Sequence, residues 1–221
     1  MKKIFVILGT FLFAVAVFFA CSSTLSRKLK DNLSEESVAL FAAHNDVLYA
    51  SLTTGWREEP YITNGKSEQK VKFAVVSVFL FENSKEPKLD VIVKINGVPY
   101  NLELEKHLIT GQYMGDLEIL IKDNQNVEIT ILDCTLALSC VSNNFITNYK
   151  KAIELGAKYL ENEVNKMLEN KNNKIEAFLK IVNNPVEDTN IYYWYFIVAC
   201  SNGTQSIVVI DTMSNNLMAK F

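Results

Sequence analysis

Histidine and arginine are both scarce. In 221 residues there are two histidines, His44 and His107, and the arginines are Arg27 and Arg57. Two histidines leave few ways to assemble a His-based triad. The chain has no G-x-S-x-G, no H-E-x-x-H, no EF-hand loop and no dinucleotide fingerprint. Gly65-Lys66-Ser67 lacks the upstream glycine of a phosphate loop, because position 60 is proline. The four cysteines, Cys21, Cys134, Cys140 and Cys200, form no C-x-x-C pair, which argues against a thiol redox centre or a zinc knuckle. There is no basic excess either: 22 Lys and Arg stand against 25 Asp and Glu, for a net charge of −3. Nucleic acid wants a basic face, so it is not an expected partner. No repeat of solenoid length is present. These absences lower the prior for an enzyme, and no cofactor or metal is expected.

What is present starts at the N-terminus. Met1-Lys2-Lys3 precedes an apolar run from Ile4 to Phe19, followed by Ala20-Cys21-Ser22-Ser23. A short basic start, an apolar stretch and a small residue before a cut make a secretory signal peptide. With cysteine next, the segment resembles a bacterial lipoprotein signal. The resemblance implies that residues 1–20 are removed and that Cys21 is acylated and anchors the protein to a membrane, outside the cytoplasm. Phe18 stands where such signals usually carry Leu, Val or Ile. An uncleaved anchor is the alternative, although the run is at the short end of what spans a bilayer. Losing Lys2 and Lys3 takes the net charge to about −5.

The full sequence is 49% hydrophobic and 21% charged, a composition that buries a core. Residues 21–33 read as a polar tether. Asn32 or Ser34 could cap a short helix through Ala43, although Val38 to Ala43 also suits a strand. Period-two patterning then predicts strands at Asp46–Thr53, Gln69–Phe81, Leu89–Ile95, Pro99–Glu105, Leu117–Ile121 and Val127–Leu132. Asn96-Gly97 is the strongest hairpin signal. Val71 to Phe81 is apolar on both faces, which predicts a central strand covered on both sides. Helical spacing runs from Phe145 to about Val182, with a break near Glu169–Asn173. Strands at Ile191–Cys200 and Gln205–Asp211, with a short one from Leu217 to Phe221, close the chain. The expected fold class is α+β, with an antiparallel β-sandwich-like domain over residues 34–142 and a helix-plus-hairpin domain over residues 143–221.

A helix at Lys174–Val182, the strand Tyr192-Tyr193-Trp194-Tyr195-Phe196, and Ser206 to Asp211 with a turn to Leu217 resemble a PepSY or cystatin-like module. The resemblance implies a small extracytoplasmic binding or inhibitory module with no catalytic residues.

Several constellations could carry function. Trp56, Arg57, Glu58, Glu59 and Tyr61 read as a turn-rich recognition loop, with the aromatics supplying contact area and Arg57 engaging an anion. The commoner outcome for such residues is scaffold, with Trp56 packed under the loop and Arg57 paired to a carboxylate. Glu103, Glu105 and His107 alternate along one strand, as metal ligands can, but a wet strand face explains them more simply. Cys134 and Cys140 are close enough in sequence to be bridged across a turn, or all three downstream cysteines are buried thiols. The functional expectation is a membrane-anchored lipoprotein that binds a protein or peptide without catalysis. An inhibitor or chaperone for an exported enzyme is the alternative, and a cell-envelope hydrolase the third choice.

Overall fold

A computed structural model describes residues 25–82, 84–184 and 188–221. The segment expected to be a signal peptide, and Cys21, lie outside the described residues. A helix, α1, spans residues 25–31, and the buried Leu29 fixes it within the segment expected to be a tether. The strands are β1 (Leu33–His44), β2 (Leu48–Glu58), β3 (Lys70–Leu80), β4 (Lys88–Ile95), β5 (Val98–Lys106), β6 (Tyr113–Leu117), β7 (Val127–Ile131) and β8 (Cys134–Cys140). Helices α2 (Tyr149–Tyr159) and α3 (Glu161–Glu169) follow, then β9 (Ile175–Asn184), β10 (Asp188–Cys200), β11 (Gln205–Asp211) and β12 (Leu217–Lys220).

The expected α+β sandwich is wrong. Strands β1-β2-β3-β6-β5-β4-β7-β8 form an antiparallel sheet, and β8 returns to pair with β1 through Phe41↔Cys140 and Ala42↔Ser139. The result is a closed eight-stranded barrel. Residues from around the wall, including Leu52, Val76, Val93, Leu104 and Ile129, fill its interior. The expected helix-plus-hairpin unit fails as well. Residues 174–182 fall mostly in β9, which pairs parallel to the first half of β1 and carries β10, β11 and β12 beyond it. Helices α2 and α3 cover this extension, packing Ile153, Leu160 and Val164 in one core with Trp194, Phe196 and Val208.

β1 is therefore the hinge of the architecture. Its first half pairs with β9 and its second half with β8 on the same edge. A bulge between Ser37 and Ala39 shifts its alternation by one residue. Leu33 before the bulge and Leu40 and Ala42 after it consequently share the helix-covered core, while Ala39 and Phe41 point into the barrel. β1 and the first half of β2 are buried on both faces, unlike the expected Val71–Phe81, where Val75, Ser77 and Phe79 on the outer face are only half-buried. At the bulge, Gly55 of β2 lies so close to β1 that a Cβ there would sit 1.9 Å from the Glu36 carbonyl oxygen.

Cys134, Cys140 and Cys200 are free thiols. Cys134 and Cys140 sit at opposite ends of β8, about 20 Å apart at strand rise, far beyond disulfide reach. Among the described residues no helix is long and apolar enough to cross a membrane.

Candidate functional site

The barrel has two ends. The near end holds the start of β1, the β2–β3 loop and the β4–β5 turn; the far end holds the β1–β2, β3–β4, β5–β6 and β7–β8 connections. The residues singled out around Trp56 belong to the near end. Gly55 to Glu58 are the last residues of β2 and not a loop. Arg57 bonds Asp116 on β6 at 3.1 Å and lies 5.4 Å from the centre of the Phe73 ring. Glu58 is buried and accepts from the Glu68 amide at 3.0 Å, whereas Glu59 is exposed. Trp56 is half-buried, with the Lys72 ammonium 5.9 Å from its ring centre.

Tyr61 donates to the Glu35 carboxylate, which also bonds Lys180 at 2.9 Å, and its ring leans on Phe178. Burial, and then the Glu35 bond, raise the Tyr61 phenol above its ordinary range. Beside this pair, the wholly buried Glu176 of β9 accepts from Ser34 Oγ at 2.7 Å and from the amides of Asn64 and Gly65 at 2.6 and 3.0 Å. Two carboxylates, Glu35 and Glu176, thus pin the β2–β3 loop to the parallel β1–β9 junction, and Glu58 holds it from β2. A buried carboxylate is tolerated when donors satisfy it in this way. The sequence held no sign of Glu176, because its partners are more than a hundred residues away.

The far end is different. A cavity of about 960 Å³ opens there, with Leu80, Leu89, Val91 and Leu102 among its apolar lining. Glu82, Glu86 and Asp90 also line it, and none of them forms an ion pair with a described residue. Lys88, the basic residue of the lining, is bound to Glu103 and lies 4.0 Å from Glu105. That engagement accounts for two of the residues considered as metal ligands. Among the described residues, no His, Cys, Asp and Glu group is arranged to hold a metal.

Each far-end connection has an exposed apolar side chain in it or next to it: Val47, Phe81, Leu108, Ile109 and Leu132. Leu108 is 99% exposed, Ile109 90% and Leu132 70%. Leu132 also has φ of 53°, at the first position of the two-residue turn between β7 and β8. Hairpins reserve that left-handed conformation for glycine or asparagine, because a Cβ there meets the following carbonyl. A bulky apolar residue is thus held in strain and in water at the mouth of the cavity.

No protein-family model matches the chain, and no curated protein or solved structure matches it either.

Proposed function

We propose that this protein is an extracytoplasmic lipoprotein, held to a membrane by lipid on Cys21, that binds a protein or peptide at the far rim of its barrel and works by binding, not by catalysis. The observation that carries the reading is the set of exposed apolar residues on the far-end connections, of which Val47 and Leu132 also line the 960 Å³ cavity. Side chains as exposed as Leu108 and Ile109 contribute nothing to the core, and contiguous exposed apolar surface marks interaction sites. Glu82 and Glu86, which form no ion pair with a described residue, favour a partner segment in which apolar side chains are flanked by Lys or Arg. At the Trp56 end, by contrast, Arg57, Glu58 and Tyr61 already have internal partners.

A selection of displayed random peptides against the full-length chain tests this. Enriched peptides should combine apolar and basic residues. They should bind the Leu108→Ser/Ile109→Ser double variant at least about tenfold more weakly, a loss equivalent to about 1.4 kcal/mol. Peptides that bind the variant as well as the parent, or that respond instead to Trp56→Ala, would overturn the assignment.

A further inference from the structure

The near end carries a second, smaller cleft of about 330 Å³ with a different chemistry. It lies between α1, the β2–β3 loop and the α3–β9 connection, and Lys28, Lys171, Lys174, Asn32, Asn170 and Gly65 line it. No acidic residue is in the lining, although the whole chain is net acidic. None of the three lysines forms an ion pair with a described residue. The Lys174 stem lies along Gly65, where a Cβ would come within 3.0 Å of it. Gly65 is in turn held by Glu176 through its amide. The wall of the cleft is therefore fixed by the carboxylate network, while the three lysines that line it are exposed. Three like charges gathered in one concave place repel one another, and an anion relieves that repulsion.

The position of the cleft gives a second, independent indication. Lys28 stands one turn into α1, about 5 Å along the helix axis from residue 25. Four peptide units separate residue 25 from Cys21, and they reach no further than about 14 Å. A lipid on Cys21 would thus hold this cleft at the bilayer surface.

We propose that the Lys28–Lys171–Lys174 cleft binds phosphate groups, and that in the anchored protein the phosphate is that of an anionic lipid headgroup. The headgroup half of this proposal rests on the lipoprotein reading; the phosphate half does not. Seating the near end on the membrane turns the far rim and its apolar residues outward, away from the lipid.

Lysine-acylation footprinting with mass spectrometry tests both halves on the full-length chain. The chain is compared in phosphatidylcholine nanodiscs, in nanodiscs with roughly one part in four phosphatidylglycerol, and in detergent with added inorganic phosphate. Each lysine near an anionic surface gains about fivefold in local affinity. Labelling of Lys28, Lys171 and Lys174 should accordingly drop about fivefold in the phosphatidylglycerol discs, while Lys85 at the far end stays unchanged. In a Lys171→Gln/Lys174→Gln variant, with two exposed positions altered, the protection of Lys28 should disappear. Protection by inorganic phosphate but not by phosphatidylglycerol would keep the phosphate site and overturn the headgroup assignment. Equal protection in phosphatidylcholine alone, or none in any arm, would overturn the proposal. The intact mass of the chain reports acylation of Cys21 separately, so failure of the anchor is told apart from failure of the cleft.

Discussion

Replacing Leu132 with asparagine should make the protein more stable and weaken its binding. The left-handed conformation at φ of 53° costs an ordinary L-residue roughly 1–2 kcal/mol, and asparagine adopts it with little penalty. Against this stands the burial that is lost. Full burial of a leucine contributes about 1.5–3 kcal/mol, and Leu132 is 70% exposed, so only about 0.5–0.9 kcal/mol is forfeited. The balance favours the variant by about 0.1–1.5 kcal/mol. For a chain of this size each kcal/mol moves the melting temperature by about 2–4 °C, so a rise of up to about 6 °C is expected. Differential scanning calorimetry on parent and variant measures it, and the peptides selected against the parent supply the binding readout. A gain in stability coupled to at least a several-fold loss of binding is the signature of a residue retained for function at the expense of folding. A fall in melting temperature would show that Leu132 is there to pack, and would remove the strongest local support for the rim as a binding surface.

Three further outcomes are expected. Glu176→Ala leaves the Ser34 hydroxyl and two loop amides without their acceptor, and should cost at least about 3 kcal/mol by urea denaturation, whereas Glu176→Gln, which keeps one acceptor oxygen, should cost less. Gly55→Ala forces a methyl to within 1.9 Å of the Glu36 carbonyl and should cost more than about 2 kcal/mol through displacement of the bulge, read as a lower urea midpoint. The phenols of Tyr49, Tyr61 and Tyr192 are all raised, chiefly by burial, so the folded chain keeps those protons to higher pH than the unfolded chain does. Their contribution to stability is present below about pH 10 and declines as pH rises further, and absorbance titration should show late-ionising tyrosines that rejoin the rest once the chain is unfolded.

Where local rules governed the backbone, the sequence was legible. Asn96 and Gly97 adopt φ of 50° and 82° in the turn joining β4 to β5, as a two-residue hairpin demands. The strand expected at Gln205–Asp211 occupies those residues. Misreadings fell on segments buried on both sides. In β9, Ile175, Ala177, Leu179 and Ile181 face one core, but Phe178 and Val182 add apolar residues on the other face, and such a run fits a helix as well as a strand. β1 raised the same ambiguity, and its bulge broke the alternation that would have settled it. Barrel closure left no local trace at all, because Phe41 meets Cys140 across about a hundred residues. The rim was illegible for a related reason. Leu108, Ile109 and Leu132 look like core residues in any hydropathy pattern, and only the closed barrel leaves them in water.

The two ends of the barrel are chemically opposed, and β1 makes that opposition mechanically meaningful. Its first residues lie beside the lysine cleft and the carboxylates that pin the β2–β3 loop; its last residue leads into Val47 at the rim. Between them the strand belongs to both hydrophobic cores, so neither can loosen without exposing part of the other. Interfaces packed in this way transmit rigidity more readily than independent domains joined by a linker. The far rim therefore keeps a fixed position relative to the near end. Under the proposed binding role this rigidity matters, because less entropy is lost in ordering the rim when the partner arrives.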